Sequence, residues 1–565
     1  MTDTTVTAGA ALLARLKTVG VDYVFANSGT DFPPIIEGLA EAAAKGIPLP
    51  TALTIPHEHA AMGMAHGYYL ASGRPQAVIA HTDVGLANCA IGALNAHVER
   101  VPVLLFSGRT PTVEKGRFGA RTVPIGWGQE MRDQTSLVRE ASKWDYELRF
   151  PEQVTELVDR AHAIASSTPA GPVYVSLPRE VLCGPCPAAA LDTPVTMQPH
   201  GTAAPPGAMA DLAARIARAK APVIFAQHGA GGAEGFAALA RIARTWAIPV
   251  CQYWATQLAL ATDHPMCTSW DPTPWLAEAD LVLCLDVLAP WMPDAAEPRP
   301  DATVVQLGPD PLSQRTPIRN FRADLSLATD LGPGLMALEQ ALSTHTPGPG
   351  VTTRFATISA RTKASRDAAR SAAAPDTAEG MTKAQIARAL SDALEGHHAT
   401  ILSELGCPMA PMRLTHPQAW YQEPHAGGLG WSLPAALGMQ LAAPDRLIVA
   451  TMGDGGYIFA NPVACHQIAE ALSLPILILI LNNAEWGAVR QSVLSLYPDG
   501  HAARANTVPL TGLAPIPDFA LIAQASRALA FRATTAAEFA QTLTAALEHV
   551  QARRGPALID IRTRP

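Results

Sequence analysis

RLIVATMGDGGYIFANPVACHQIAEALSLPILILILNN, residues 446–483, decides how this chain is read. Its two apolar runs, RLIVATM and PILILIL, have no polar alternation, and a longer helical pattern lies between them. Strands of a parallel sheet look like this because helices cover both faces. Each run ends in residues with chemical potential: Met452-Gly453-Asp454-Gly455-Gly456 after the first, Asn482-Asn483 after the second. Open α/β sheets bind ligands at the carboxyl ends of their strands. An aspartate, an amide oxygen and a nearby main-chain carbonyl make a hard, oxygen-rich site that suits Mg²⁺ bound with substrate phosphates. The glycines beside Asp454 let phosphate oxygens come close to the backbone. Either motif alone favours the plainer reading, a strand–turn with a helix-capping aspartate and an ordinary asparagine turn.

Working outward, the same alternation recurs. AVIAH and VPVLLFSG are further buried-strand candidates in the first third. The first and last thirds open on helical patterns, TAGAALLARLKTVGV and MTKAQIARALSDAL, and close on GPVYVSLP (residues 171–178) and GPALIDIR (residues 555–562). Stretches rich in Pro, Gly and Ala at residues 186–207 and 344–379 read as linkers, the second enclosing a helix at 355–370. The expected fold is α/β, with three parallel-sheet domains at residues 1–188, 200–345 and 375–565, the first and third similar. In the middle domain, APVIFAQHGAGGAEG runs from a strand into a glycine-rich turn. Gly229, Gly231 and Gly235 miss the dinucleotide spacing, and the next strand ends without an acidic residue for a ribose. Helix–strand packing is therefore the favoured reading of these glycines over a bound nucleotide.

The chain has 565 residues, 48% of them apolar, with 41 Lys+Arg against 49 Asp+Glu and a net charge of −8. Only 16% are charged, below the roughly 25% typical of soluble domains, so much surface is expected to be buried between domains or subunits. Net acidity argues against a nucleic-acid partner. The longest apolar run, residues 475–481, is far short of the roughly 20 residues that cross a bilayer. The opening MTDTTVTAGA has no basic region before an apolar stretch, so the expected location is the cytoplasm, away from membranes. Eight cysteines in a chain of this length are no disulfide framework. Cys183-Gly184-Pro185-Cys186 copies a redox motif, but the Pro-rich segment after it offers no helix N-terminus to activate a thiol, so a linker coincidence is expected.

GDG and NN, separated by residues 456–481, resemble the cofactor signature of thiamin-diphosphate-dependent enzymes of the pyruvate-decarboxylase and acetolactate-synthase superfamily. The resemblance covers essentially the whole chain. It implies a pyrimidine-binding, a central and a diphosphate-binding domain, with thiamin diphosphate and Mg²⁺ as cofactors. Asp454, Asn483 and the carbonyl of Glu485 would hold the metal, with Gly455 and Gly456 beside the diphosphate. Glu58 in TIPHEHAAMGMAHGYYLASG matches the glutamate that binds the aminopyrimidine ring nitrogen and favours its imino tautomer; helix-dipole balance is the bland alternative. In AGGLGWSLPAALGMQ, Leu429 stands where a large apolar residue supports the bent cofactor, and the carbonyl of Gly427 would hold its amino group.

Within the superfamily the resemblance is strongest to benzoylformate decarboxylases. ANSGTDFPPIIEGL places Thr30 where they have an active-site serine, and AVIAHTDVGLANCAIGALNAH places His81 where they have an active-site histidine. A histidine titrating near neutrality could protonate the product carbon after CO₂ leaves. Strand-end capping is the bland reading of His81. SELGCPMA (residues 403–410) departs from the family's Ser/Thr run. No histidine matches the family's second one near LAPWMP, where Trp291 or Met292 is expected to line the pocket instead. The implied activity is non-oxidative decarboxylation of a 2-oxo acid to an aldehyde, with carboligase side activity. The alternatives are acetolactate-synthase-like carboligation, for which Gln129 in GWGQEMRDQ speaks, and 2-hydroxyacyl-CoA cleavage. The superfamily builds each site from two subunits, so a homodimer or homotetramer is expected.

Overall fold

The computed structural model describes residues 5–268 and 270–564. After a short β1 (Thr5–Thr7), the first domain forms a six-stranded sheet. Its strands are β2 (Tyr23–Ala26), β3 (Thr51–Thr54), β4 (Gln76–Ala80), β5 (Val103–Arg109), β6 (Asp145–Glu147) and β7 (Val173–Pro178), in the order β3-β2-β4-β5-β7-β6. β8 (Pro185–Pro187) returns to pair antiparallel with β1. The central domain holds β9 (Pro222–Ala226), β10 (Val250–Cys251), β11 (Leu281–Leu285), β12 (Thr303–Gly308) and β13 (Leu325–Ala328), in the order β10-β9-β11-β12-β13. The third domain holds β14 (Ala399–Glu404), β15 (Trp420–Gln422), β16 (Leu447–Gly453), β17 (Leu477–Asn482), β18 (Leu529–Ala533) and β19 (Ala557–Arg562), in the order β15-β14-β16-β17-β19-β18. Every pairing within the three sheets is parallel. Counted within each domain, the first and third sheets share one order, 2-1-3-4-6-5. Both are α/β sheets with a switch point between their first and third strands, where the carboxyl ends open a crevice.

The helices that follow the second strand of each copy, Glu58–Ser72 and Ser432–Ala442, pack directly on one another. Their contact is closer than side chains allow. A Cβ on Gly67 would overlap the carbonyl oxygen of Ala435, one on Gly438 would overlap that of Met64, and one on Gly63 would come within 2.6 Å of Pro434. The glycine rows let two backbones touch where larger residues would hold them apart.

Two expectations about the connections resolve at atomic detail. Cys183 follows the short helix Arg179–Leu182 and Cys186 lies buried in β8, and burial pushes both thiols up, the opposite of an activated redox couple. The helix expected at 355–370 is longer, Gly350–Ala372. It straps the central domain through Arg354, which donates to the carbonyls of Trp246 (2.6 Å) and Ala247 (3.0 Å), and through Thr362, which donates to that of Pro265 (2.7 Å). The central glycines are consumed by packing: a Cβ on Gly231 would overlap Gly332 at the start of the helix Leu331–Leu342. Trp291, expected to line a pocket, instead stands in the central core, edge-on to Phe225 and Phe321, because a ring 3% exposed finds its partners there. Among the described residues no helix is long and apolar enough to cross a membrane.

The crossing of the two helices yields the first prediction. Gly67→Ala improves helix propensity by about 1 kcal/mol. The overlap with Ala435 should reverse that gain and destabilise the protein by about 1–3 kcal/mol. Gly207→Ala, on the exposed first turn of the helix Pro206–Arg218 with open space around it, serves as control and should leave stability equal or higher. Equal melting temperatures for Gly67→Ala and wild type would contradict the close crossing.

Candidate active site

Register places the chemistry of the third domain. Gly453 of β16 lies opposite Leu481 of β17, so Asp454 and the pair Asn482-Asn483 leave the sheet side by side at its carboxyl edge. Asp454 Oδ1 accepts from the N–H of Gly455 (3.0 Å), and the carboxyl also lies against the N–H groups of Ala484 and Glu485. Its other oxygen, Oδ2, is buried and no donor reaches it in hydrogen-bond geometry. Burial raises the Asp454 pKa, with the backbone N–H groups opposing. Asn483 Oδ1 accepts from the N–H of Glu485 (3.2 Å). The carbonyl of Glu485 accepts from the N–H of Gly487 (2.8 Å), and its carboxylate from Thr511 Oγ1 (2.5 Å). Gly455 lies under the ring of Trp486, where a Cβ would collide with it, and Gly456 lies against Glu404. An orphaned carboxylate oxygen amid glycines, an amide and a turn carbonyl fits a hard divalent cation carrying phosphate.

The first domain supplies a second group. Glu58 begins its helix, 5% exposed, and its two carboxylate oxygens accept from Asn27 Nδ2 (3.0 Å) and Asn88 Nδ2 (3.0 Å). Asn27 follows β2, and Asn88 lies on the helix Thr82–Val98. His81 leaves β4 at the place in the first sheet that Asp454 holds in the third: each follows its sheet's third strand. The Nδ1 of His81 hydrogen bonds Asp31, which also accepts from the N–H of Thr82 (3.3 Å), and its Nε2 faces Gln129 Nε2 at 3.0 Å. The bond to Asp31 raises the His81 pKa above its ordinary value against the opposing effect of burial. Glycines make room for this pair. A Cβ on Gly29 would strike the imidazole, and one on Gly108 would strike the Asp31 carboxylate. Thr30, Asp31 and Gln129 line one small recess together with Arg121, Val123 and Arg179. The arginines are already engaged: Arg121 Nε donates to the carbonyl of Pro111 (2.8 Å) and Arg179 Nη1 to that of Thr30 (3.3 Å).

The loop of Gly427 and Leu429 joins the two domains. Asn95 Nδ2 donates to the Gly428 carbonyl (2.8 Å), Asn95 Oδ1 accepts from the Gly428 N–H (3.1 Å), and His59 Nε2 contacts the Gly430 carbonyl (3.1 Å). Gly427 and Gly430 both adopt the left-handed conformation, with φ of 68° and 82°. Glu404, at the end of β14, grips the far side of the loop: its oxygens accept from the N–H groups of Gly430 (2.6 Å) and Ser432 (2.8 Å). Nearby Glu423 accepts from the N–H of Leu405 (3.0 Å), and burial raises its pKa to about 7. Thus Glu58, His81 and Thr30 form one group and Asp454, Gly455, Gly456, Asn483 and Glu485 another, with the loop touching the first. Among the described residues no hydrogen bond or ion pair joins the two groups within one chain. Sequence reasoning passed over Asp31, Asn27, Asn88 and Glu404. Asp31 lay in view within ANSGTDFPPI, one residue after Thr30, but its partner is 50 positions away.

Comparison with known proteins agrees with this architecture. A "Probable 2-ketoarginine decarboxylase" of Pseudomonas aeruginosa is 29% identical over 92% of this chain and 88% of its own length. A benzoylformate decarboxylase of the same species is 28% identical over 97% of both chains. The solved structure of a thiamine diphosphate-dependent 4-hydroxybenzoylformate decarboxylase from Rhodococcus jostii RHA1 superposes with a TM-score of 0.78 at 22% identity, covering 99% of both chains, and so shares the fold. Residues 6–137, 209–338 and 405–561 match, in turn, the N-terminal TPP binding domain, the central domain and the C-terminal TPP binding domain of thiamine pyrophosphate enzymes, and with all three in order the chain belongs to that family.

Proposed function

We propose that this protein is a thiamin-diphosphate- and Mg²⁺-dependent decarboxylase that releases CO₂ from a 2-oxo acid of the benzoylformate type and forms an aldehyde. The observation that carries the reading is the buried, partnerless Asp454 Oδ2 at the junction of GDG and NN. An anionic oxygen left so costs several kcal/mol unless a cation or proton meets it. Bound thiamin diphosphate supplies a carbon nucleophile and an electron sink, which side chains cannot. Asp454, Asn483 and the carbonyl of Glu485 would hold Mg²⁺, and Gly455 and Gly456 would admit the diphosphate. The Gly427 carbonyl and the Leu429 side chain would seat the aminopyrimidine end. Glu58, fixed by Asn27 and Asn88, would hold a proton on the ring nitrogen.

His81 would then act as general acid. Asp31 fixes the ring through Nδ1 and favours the protonated form, leaving Nε2 beside Gln129 to face a substrate carbon near Thr30. That pairing supports aldehyde release, since a product carbon must receive a proton before it can leave. The same reading divides the chain at residues 1–188, 200–345 and 375–565, places the enzyme in the cytoplasm, and makes it a homodimer or homotetramer whose sites combine Glu58 of one chain with Asp454 of another.

Three sets of measurements test this. Glu58→Gln should still bind thiamin diphosphate and Mg²⁺ yet lose at least about 100-fold in turnover, whereas Asp454→Ala should lose Mg²⁺-dependent cofactor retention on gel filtration; near-wild-type turnover in Glu58→Gln would remove it as the activating acid.

His81→Ala should depress aldehyde release by about 10²–10⁴-fold while sparing cofactor binding. Asp31→Asn should shift the basic limb of the pH–rate profile to lower pH, because His81 would lose its proton earlier without the carboxylate. Aldehyde and ligated product are to be followed together with benzoylformate and pyruvate. A wild type giving only ligated product, or acting only on a 2-hydroxyacyl-CoA, would move the assignment to one of those classes.

Glu58→Gln and Asp454→Ala proteins, each inactive, should regain part of the wild-type activity when mixed under conditions of subunit exchange, since mixed assemblies contain some intact sites. Full activity in a strictly monomeric wild type would contradict shared sites.

A further inference from the structure

Away from these groups, one residue from each domain converges on a single point. Glu99 ends the helix Thr82–Val98 of the first domain, His228 follows β9 of the central domain, and His425 precedes the Gly427 loop of the third. Their donor atoms all lie within 4.8 Å of one another, with His228 Nε2 and Glu99 Oε1 at 3.5 Å. The second atom of each side chain is already committed. His228 Nδ1 sits 2.7 Å from the carbonyl of Asp286, and His425 Nε2 sits 2.8 Å from that of Trp254. A carbonyl can only accept, so both of these nitrogens carry hydrogen. In the neutral rings the inward-facing atoms, His228 Nε2 and His425 Nδ1, are then bare lone pairs, and both are buried without a hydrogen-bond partner. Thr256 Oγ1 donates to Glu99 Oε2 (2.7 Å), which leaves Oε1 turned inward as well. Besides His228 Nε2 at 3.5 Å, that oxygen meets the backbone N–H of His425 in a long contact of 3.4 Å. The nearby cation, Arg100, is spent on Asp286 (2.5 Å).

Two lone pairs and a carboxylate oxygen facing one another in a buried space repel unless a positive charge lies between them. Outer partners that fix ring tautomers by carbonyl acceptance, and a carboxylate held by a hydroxyl, are the features that orient the ligands of protein metal sites. Two imidazoles and one carboxylate suit a borderline transition metal, zinc foremost, rather than Mg²⁺. Ligands on a tetrahedral zinc lie about 3.4 Å apart, from bonds of about 2.0–2.2 Å. The 3.5 Å pair already meets that, and modest ring rotation would bring in the third. A fourth position is left for water.

We propose that Glu99, His228 and His425 bind one zinc ion that pins the three domains together, separate from the Mg²⁺ of the cofactor site. Because His425 lies two residues before Gly427, the ion would also anchor the base of that loop.

The test uses the full-length protein without a polyhistidine tag, stripped with EDTA and re-equilibrated with Zn²⁺ under excess Mg²⁺. Elemental analysis after gel filtration should find about one zinc per chain. Zinc should also raise the melting temperature of wild type. His228→Gln and His425→Gln should each weaken zinc binding at least about tenfold in competition with a chromophoric chelator, and circular dichroism would check that each variant is folded. Should one variant fail to fold, the other and Glu99→Gln, which keeps an acceptor for Thr256, carry the comparison. Wild type that takes up no zinc and shows no thermal shift would overturn the proposal: the centre would then hold a proton, with His228 doubly protonated between Asp286 and Glu99. Unchanged zinc affinity in the folded variants would overturn it equally.

Discussion

The placement of the first domain against the third within one chain depends on how closely the helices Glu58–Ser72 and Ser432–Ala442 approach. Gly63, Gly67 and Gly438 bring the backbones into contact, and the first residues of each helix are the ones with chemistry. The N-terminus of one carries Glu58 and His59. The N-terminus of the other is fed by the loop of Gly427 and Leu429. A methyl group between the helices would push Glu58 away from that loop, and His59 could no longer reach the Gly430 carbonyl. In an assembly with shared sites the crossing fixes how each chain holds its own Glu58 relative to its own Asp454, and displacements of about 1 Å at a reacting centre can cost two orders of magnitude in rate.

The repeat gives the arrangement its logic. Both flanking sheets run 2-1-3-4-6-5, so the crevices at their switch points are equivalent places. The two copies fill them differently. After the third strand, one copy has a histidine held by Asp31, a pairing chemically suited to moving a proton. The other has an aspartate with a buried oxygen that lacks a hydrogen-bond partner, a group chemically suited to a cation. After the second strand, one copy presents a carboxylate clamped by two amides and the other a glycine-rich loop gripped by Glu404.

How much of this could be read from sequence follows from the range of each contact. The parallel sheets were legible because buried strands are local apolar runs, and the two linkers because Pro and Gly interrupt any period. The placement of Asp454 and Asn483 side by side was legible because their motifs sit at strand ends within one short segment, and Glu58 stood out through the family-like pattern of its helix. The supporting residues were not. Asp31 serves His81, Asn95 serves Gly428, and Glu404 serves Gly430, each across a separation that leaves no local pattern. The convergence of Glu99, His228 and His425 needs all three domains in place before it exists. Trp291 shows the converse: a large ring beside a motif suggested a pocket wall, yet packing with Phe225 and Phe321 claimed it for the core.

The central claim is that the crevice of the third domain receives thiamin diphosphate on a metal held by Asp454, opposite Glu58. The most direct measurement is an experimental structure of the protein prepared with thiamin diphosphate and Mg²⁺. The account predicts Mg²⁺ at about 2.1 Å from an Asp454 carboxylate oxygen, diphosphate against Gly455 and Gly456, and the Glu58 carboxylate within hydrogen-bond distance of the aminopyrimidine ring. A cofactor bound elsewhere, or one seated there with Asp454 still turned away from any cation, would contradict it.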